Sequence, residues 1–291
     1  MTDFRQSKIL VAGAGGKLGR RVVELLLEGG ATQVIAGSRH PEKLDISSVE
    51  TRKVDFADSA GLDAAFAGVD QLLIISTDVT GEVRQKLQTN AVAAAKRAGI
   101  PHIVYTSLVH PGPDSPVLLA PDHDITERAI EATGADYTFL RNAYYMENFL
   151  HSLPAAFASG HWYAAWGQGR SAHVSREDCA RAAAGALLGG PRGKRIIDVA
   201  GPEALTAEEV AAIASEITGR PLAVVHVDDA ALTAGMVGAG LPQPVAELLT
   251  SIETSIRMGH SDVATQVAEL TGRAPLSIKD FLSANKAALG A

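Results

Sequence analysis

A glycine-rich turn near the N-terminus is the first feature of this chain that could do chemistry. Glycines at positions 13, 16 and 19 lie between the short apolar segment 8–12 and the amphipathic segment 17–28. Such a turn lets backbone N–H groups approach a pyrophosphate, and the following helix presents its positive end to the same charge. The spacing departs from G-x-G-x-x-G, because Leu18 stands where the third glycine would fall. The strand before the turn and the helix after it still favour a dinucleotide pocket.

The end of the second predicted strand, in VIAGSRHPEKL, indicates which nicotinamide cofactor the pocket prefers. An acidic residue at this place would hold the ribose 2′-hydroxyl of NAD, whereas this chain has Ser38 and Arg39. An arginine here can pair with a 2′-phosphate. NADPH is therefore favoured over NADH, with a solvated loop residue as the alternative reading of Arg39. Lys43 could reach the same phosphate or be an ordinary surface lysine.

Three polar residues at later strand ends have both a binding and an ordinary interpretation. Asp55 closes the third strand, where an adenine contact is common, but it could also cap a turn or helix. Ser76 and Thr77 end the fourth strand and would run beside the bridging phosphates and ribose of a dinucleotide. Either of them could equally begin the next turn.

The sequence lacks the Tyr-x-x-x-Lys pair that many short-chain reductases use as a proton donor. Tyr137 and Arg141 have the spacing, but they lie in a predicted strand, where they would be roughly 13 Å apart. The helix expected to carry the pair contains His123 instead, which could donate a proton near neutral pH or face water. Ser107 follows the fifth strand and could polarise a substrate carbonyl or serve as a turn hydroxyl, and Tyr105 is expected to pack inside that strand.

The elements that position these residues alternate regularly through the first half of the chain. Apolar, β-branched segments are separated by helical patterns, which is typical of a parallel sheet covered by helices on both faces. We predict strands over 8–12, 33–37, 51–54, 72–76, 102–106 and 136–140, and helices near 17–28, 59–67, 81–98 and 122–133. Right-handed crossovers give the strand order 3-2-1-4-5-6. The fold class is α/β, with a doubly wound parallel Rossmann sheet.

The alternation ends near residue 141. We therefore predict an NADP-binding Rossmann domain over 1–141 and a smaller, mostly helical substrate-covering lobe over 142–291, with strands at 195–200 and 223–227. No linker rich in Pro, Gly or Ser separates the two parts, so the lobe is expected to interleave with the sheet. Cys179, the single cysteine, lies in a helical pattern without an activating histidine and is expected to be a packed core thiol.

Composition excludes several classes of function. With 46% hydrophobic and 20% charged residues, the chain is typical of a folded, soluble protein. A net charge of −7 argues against a nucleic-acid surface, which needs a basic face. The N-terminus lacks an apolar signal region, and no stretch reaches the roughly 18 apolar residues of a membrane span. We expect a cytoplasmic protein without a metal site or membrane contact, and a homodimer is one assembly that the sequence leaves open.

Several motifs together carry a family resemblance over essentially the whole chain. VAGAGGKLG, LLIIST, VYTSLVH, DHDITERAI and YTFLRNAYYMENFL resemble the NmrA-like atypical short-chain reductases, in particular the NADPH:quinone oxidoreductase type, which is similar to the triphenylmethane dye reductases. The resemblance implies a Rossmann domain with a smaller C-terminal lobe and no Tyr-x-x-x-Lys pair. The chain departs from the family at Ala12 and Ala14, where relatives usually carry threonine, so phosphate binding is left to backbone donors.

The resemblance also implies roles for individual residues. The turn, with Gly15 inside it, would line the pyrophosphate and Arg39 the 2′-phosphate, while the end of the fourth strand would follow the ribose. Next to the nicotinamide would lie the end of the fifth strand, and the far side of the pocket would be closed by the segment after the sixth. At the phosphates, these residues are Gly13, Gly16, Lys17 and Leu18 of the turn, together with Arg39. Ser76 and Thr77 would follow the ribose, and Tyr105, Thr106 and Ser107 would lie next to the nicotinamide. The far side of the pocket would be closed by Asn142, Ala143, Tyr144 and Tyr145.

A quinone is the acceptor that best tolerates the missing proton relay. Hydride adds readily to an electron-poor ring, and the resulting oxygen needs only hydrogen bonds and later protonation from solvent. The walls of a flat, apolar slot could come from Tyr144, Tyr145, Met146, Phe149, Trp162 and Trp166, although such aromatics often belong to a lobe core. His173 is a weaker candidate. Alternatives are an NADP(H)-sensing regulator without turnover, and a reductase of dyes, imines or other small metabolites.

Overall fold

A parallel sheet forms the centre of the molecule. A computed structural model describes residues 4–46 and 48–290. Its strands, in chain order, are β1 Lys8–Ala12, β2 Gln33–Ser38, β3 Glu50–Lys53, β4 Gln71–Ile74, β5 His102–Leu108, β6 Asp136–Asn142, β7 His161–Ala164, β8 Lys194–Val199 and β9 Ala223–His226. Seven of these described strands form the main sheet in the order β3-β2-β1-β4-β5-β6-β8, with every neighbouring pair parallel. The predicted doubly wound sheet and the order of its first six strands are confirmed.

Helices cover both faces of this sheet. Those between the strands of the first half are α1 Lys17–Glu28, α2 Ser59–Phe66, α3 Gly81–Arg97 and α4 Ala120–Glu131. Those that follow are α5 Phe149–Ser159, α6 Arg176–Leu188, α7 Ala207–Thr218, α8 Asp229–Gly238, α9 Gln243–Arg257, α10 Val267–Thr271 and α11 Ile278–Ala284. None of the helices within the described ranges is long and apolar enough to cross a bilayer.

Each face of the sheet has its own core. Val22, Val23 and Leu26 of α1 are fully buried on one face, together with the alanine-rich side of α6. Small residues let α6 pack closely, and Cys179 in this helix is 1% exposed. The opposite face carries α2, α3 and α4, and Tyr105 and Phe139 of the sheet are fully buried against them. The expected core thiol is therefore found where the helical pattern predicted it.

The chain after residue 142 contributes both to the main sheet and to a separate core of its own. β8 extends the main sheet beside β6, and α6 packs on α1. The rest encloses a separate core that includes Met146, Trp166 and Phe281. The division of the chain at residue 141 stays a prediction, since β6 itself runs to Asn142.

The element boundaries differ from the prediction in a few places. β5 and β6 each extend two residues further than expected, because they pair with each other as far as Leu108 and Asn142. β4 ends at Ile74 rather than at residue 76, since the chain leaves the sheet there for the strand-end crevice. β7 was not predicted, and it pairs in parallel with β9 to form a second, two-stranded sheet within the described residues.

Candidate active site

The residues expected to bind a dinucleotide follow one edge of the sheet. The glycine turn begins directly after β1, Arg39 directly after β2, and Asp55 two residues after β3. Next along the sheet are Ser76 and Thr77, just beyond β4. The predicted residues of β5 and β6 complete the row at the ends of those strands: Thr106, Ser107 and Asn142. Since all these strands are parallel, their carboxyl ends define a single crevice, with the switch of direction beside β1.

The glycine turn is folded tightly against two strands. Gly13 has a φ of +105°, which favours glycine, and a side chain there would approach Ile75 after β4. The backbone N–H groups of Gly13 and Ala14 both donate to the carbonyl oxygen of Gly37 at 3.0 Å. A Cβ on Gly19 would lie only 2.2 Å from the carbonyl oxygen of Gly13. The close approach of helix to turn that the third glycine of G-x-G-x-x-G allows is thus made by Gly19. Position 18 is occupied by Leu18, which packs into the core.

The N-terminal end of α1 faces the crevice with unpaired donors. Gly16 is its N-cap and offers no side-chain oxygen to the first turn. The first N–H groups of a helix have no intrahelical partner, so the N–H groups at Lys17 and Leu18 are available to an anion. The Lys17 side chain is exposed beside them.

Two further cations stand beyond β2. Arg39 and Lys43 are both exposed. In the described part of the chain, neither side chain has a hydrogen bond or an ion pair with another residue. Ser38 accepts a hydrogen bond from the N–H of His40 at 3.1 Å and lies against Gly15, which shapes the start of this loop. Asp55 accepts from the N–H of Ala57 at 3.0 Å, so one carboxylate oxygen acts as a turn cap and the other is free of this role.

Buried oxygen atoms cluster at the ends of β4, β5 and β6. The Thr106 hydroxyl accepts a hydrogen bond from the N–H of Ser76 at 2.9 Å and so joins two strand ends. Thr77 Oγ1, Ser107 Oγ and Asn142 Oδ1 are buried without a hydrogen-bond partner among the described residues. Buried polar groups normally have partners. Three such atoms at neighbouring strand ends fit the ribose hydroxyls and the carboxamide of a nicotinamide nucleoside, and the turn and the cations fit the phosphates of a dinucleotide.

Tyr105 and His123 form a buried chain behind this edge. The Arg84 guanidinium donates to His123 Nε2 at 2.7 Å, so the other ring nitrogen, Nδ1, carries the proton and donates to the Tyr105 hydroxyl at 2.9 Å. Burial and the charge of Arg84 hold the pKa of His123 well below its usual range, and burial raises the pKa of Tyr105 to about 12. Both groups are therefore neutral at physiological pH, and both ring nitrogens of His123 are occupied within the protein.

Tyr137 and Arg141, which have the spacing of a proton relay, each pair with a glutamate of α4. Arg141 makes a two-point contact with Glu127 of α4, at 3.1 and 2.7 Å. The Tyr137 hydroxyl donates to Glu131 at 3.0 Å. Each side chain thus links β6 to α4. This agrees with the expectation that the two residues do not form a proton relay.

Aromatic residues gather around His173 in the C-terminal part. The His173 ring stacks on Trp166 at 5.4 Å and contacts Phe149 at 4.5 Å and Tyr144 at 5.5 Å, measured between ring centroids. Burial lowers the pKa of His173 to about 4, so its ring is neutral. Trp166 is 2% exposed, while Tyr144 is half-buried. Tyr145 lies under the Arg176 guanidinium at 5.7 Å, and Asn142 Nδ2 donates to its hydroxyl at 3.4 Å.

Glu253 of α9 is a partly buried acid beside this aromatic group that sequence reasoning missed. One of its oxygens accepts a hydrogen bond from the N–H of Ala165 at 2.6 Å. Burial raises the pKa of Glu253 to about 7, and its charge acts on Tyr144. A glutamate in an amphipathic helix usually faces water, so only the packing of α9 on the aromatic residues reveals this one.

Comparisons with known proteins agree with this geometry. A family model described as the NmrA-like family matches residues 5–264. Quinone oxidoreductase 2 of Escherichia coli is 33% identical over 280 residues, which cover 94% of this chain and 97% of that protein. A (4-alkanoyl-5-oxo-2,5-dihydrofuran-3-yl)methyl phosphate reductase of Streptomyces griseus is 35% identical over 278 residues, covering 94% and 96%.

Solved structures show the same arrangement of the whole chain. The NADPH-dependent quinone oxidoreductase of Escherichia coli, in complex with NADPH, superimposes with a TM-score of 0.90 at 32% identity, covering 96% of this chain and 99% of that one. The triphenylmethane reductase of Citrobacter sp., complexed with NADP(H), gives a TM-score of 0.87 at 33% identity, covering 95% and 99%. The resemblance seen in the motifs is therefore confirmed, and the chain belongs to the NmrA-like family.

Proposed function

We propose that the protein is an NADPH-dependent reductase of quinones or similar electron-poor planar acceptors. The observation that carries the cofactor assignment is Arg39, an exposed cation directly after β2, beside a glycine turn at the switch point of the sheet. Its side chain has no partner within residues 4–46 and 48–290. Relatives that are 32% to 33% identical over nearly the whole chain include a quinone oxidoreductase and a triphenylmethane reductase, both solved with NADPH or NADP(H). These relatives support both the cofactor and the class of acceptor.

Different residues along the crevice bind different parts of the cofactor. The donors at the start of α1 hold the pyrophosphate, and Arg39, with Lys43 nearby, holds the 2′-phosphate. The hydroxyls of Thr77 and Thr106 and the amide of Asn142 orient the nicotinamide ribose. Bound NADPH supplies a hydride from C4 of its nicotinamide.

The acceptor needs hydrogen bonds more than a dedicated acid. Ser107, whose buried Oγ has no hydrogen-bond partner in the part of the chain that the structure describes, donates to the acceptor oxygen that gains charge. Tyr105 and His123 are bound to each other and to Arg84, so they act by holding the end of β5 in place. Tyr144, Tyr145 and Trp166 are our proposed contacts for the acceptor ring, which they would hold at near-attack distance.

The direct test is oxidation of NADPH by the purified protein in the presence of menadione, followed at the NADPH absorbance. We expect turnover well above the uncatalysed rate, with a higher kcat/KM for NADPH than for NADH. A triphenylmethane dye and an azo dye, run in parallel, rank the acceptors. Tight NADPH binding without turnover of any acceptor would contradict the proposal.

That contrary outcome would support a second candidate, an NADP(H)-sensing regulator. One observation favours it: His123, the residue expected to donate a proton, has both ring nitrogens occupied inside the protein. Binding would then change the affinity for a partner protein instead of leading to chemistry. The menadione assay separates the two candidates.

Location and assembly complete the proposal. Dependence on NADPH and a single buried cysteine suit the reducing cytoplasm. A homodimer is the simplest assembly for such a chain. Cell fractionation and size-exclusion chromatography with light scattering test the two parts separately.

A further inference from the structure

Two histidines and an aspartate from distant parts of the chain meet beside the crevice. His110 lies two residues beyond the end of β5, and Asp114 follows in the same loop. His260 lies in the turn after α9. Taking one nitrogen or carboxylate oxygen from each residue, all three atoms lie within 4.8 Å of one another.

The three side chains already contact one another closely. His110 Nε2 lies 3.2 Å from Asp114 Oδ2. The two imidazole rings are only 3.9 Å apart between centroids, with an angle of 33° between their planes. Nδ1 of His260 is buried and has no hydrogen-bond partner within residues 4–46 and 48–290. Buried polar atoms normally have a partner, so the cluster points to a ligand that these side chains share.

The backbone holds both histidines in position. His110 has a φ of +55° and is the non-glycine residue with a positive φ among those described, a conformation that costs free energy and persists where the surroundings impose it. Its neighbour Val109 donates to the carbonyl oxygen of Asn142 at 3.1 Å. On the other side, Ser261 accepts from the N–H of Ala172 at 3.0 Å. The ligand atoms are therefore carried on anchored segments.

We propose that His110, Asp114 and His260 bind a divalent transition-metal ion of the zinc class, with water completing the coordination. Two imidazoles and one carboxylate are ligands that suit Zn²⁺ and Co²⁺, whereas Mg²⁺ and Ca²⁺ prefer oxygen ligands throughout. Asp114 is exposed and both histidines are partly exposed, so an ion can enter from solvent.

A bound ion would join two walls of the crevice. One wall is the loop after β5, which begins two residues after Ser107, and the other is the turn after α9, the helix that carries Glu253. A hydrogen bond from the N–H of Leu118 to Ser251 Oγ, at 3.2 Å, already links this loop to α9. The ion adds a second, stronger link and should slow hydrogen exchange in residues 109–119.

The test uses the full chain without a histidine tag. Titration with Co²⁺ should produce the visible absorption of a nitrogen- and oxygen-ligated ion at one ion per chain, and Zn²⁺ should displace it. Outer-shell partners alone are worth about 10- to 100-fold in metal affinity, so His260→Asn and Asp114→Asn should each weaken Zn²⁺ binding at least about tenfold in calorimetry. Circular dichroism checks that both variants fold.

A matched control is available on the same part of the molecule. His226 pairs with Glu208 at the surface without a second imidazole, so His226→Asn should leave Zn²⁺ affinity unchanged. Equal affinity in the wild type, His260→Asn and Asp114→Asn, or Co²⁺ binding without a change in absorption, would overturn the proposal. Because these readouts need neither NADPH nor an acceptor, failure here leaves the reductase proposal to its own assay.

Discussion

Arg39 is the residue on which the cofactor preference depends. Replacing it with alanine removes a charge-assisted contact to the 2′-phosphate, which is worth about 1.5–3 kcal/mol, or roughly 10- to 100-fold in affinity. We expect Arg39→Ala to raise the KM for NADPH by about that factor and to leave the KM for NADH nearly unchanged. Steady-state kinetics with menadione and each cofactor measures both values.

Arg273 offers the control for this substitution. It is also an exposed arginine, but it lies in the C-terminal segment after α10. Arg273→Ala should change neither KM. An equal loss for both cofactors in Arg39→Ala would contradict a role at the 2′-phosphate.

Glu253 should make stability depend on pH in an unusual direction. Its folded pKa of about 7 lies above its ordinary value near 4.5, so the folded state binds the proton more tightly than the unfolded state. The stabilisation is complete below pH 4.5 and is lost as the pH rises through 7, by at most about 3 kcal/mol at 1.36 kcal/mol for each pH unit. Glu253→Gln should therefore lose less stability than the wild type between pH 5 and pH 8 in urea unfolding.

The control for this prediction lies on the same helix. Glu247 of α9 is exposed, so Glu247→Gln should keep the pH dependence of the wild type. Parallel stability curves for the wild type and Glu253→Gln would show that the carboxyl is ionised in the folded protein.

At the residue scale, the sequence predicts positions where chemistry follows a local pattern. Arg39, Ser107 and Asn142 could be placed at the carboxyl ends of their strands from the sequence, and the structure has them there, while their roles in binding stay predictions. Glu253 and the cluster of His110 and His260 were missed, because their surroundings come from segments far apart in the chain. The expected proton donor, His123, could be placed on its helix, but its occupied ring nitrogens depend on Arg84 of another helix.

Among the elements, the junction of β1 and α1 is the most sensitive to change. Gly19→Ala would put a methyl group 2.2 Å from a backbone oxygen, and relief requires a shift of the turn. Overpacking of this kind costs about 1–3 kcal/mol. We expect the variant to melt several degrees lower and to bind NADPH more weakly, as measured by thermal unfolding and by calorimetry.

Gly235 provides the opposite case within a helix. It lies exposed in α8, and a Cβ there would meet nothing within 4 Å. Gly235→Ala should raise stability by about 0.5–1 kcal/mol, because alanine is the better helix former. If both variants shifted the melting temperature in the same direction, the close approach at Gly19 would not be the cause.

Some strands can be predicted from their own sequence, and others depend on contacts with distant segments. Buried strands such as β1 and β5 have a continuous apolar pattern and were predicted closely. β7 has four residues, and its burial alternates between exposed and buried positions, so the segment HWYA resembles a loop. Its pairing with β9 decides its conformation, and that contact joins segments on either side of α6 and α7.

At the scale of the whole molecule, the two parts depend on one another. β8 completes the sheet beside β6, α6 covers α1, and Arg21 of α1 binds Glu177 of α6 at 2.9 Å. A fragment ending at residue 142 would expose the face of α1 that α6 now covers. We expect it to lack a cooperative thermal transition, whereas a cooperative fragment that binds NADPH would mean that the first part folds by itself.

The burial of Cys179 has a consequence for the proposed reduction of quinones. Quinones are electrophiles that alkylate thiolates, and the thiolate is the reactive form of cysteine. The chain has one cysteine, which is 1% exposed, and burial raises its thiol pKa far above the ordinary range. If the acceptor is a quinone, as proposed, it meets no exposed thiolate on this chain, and alkylation of Cys179 should not inactivate the protein.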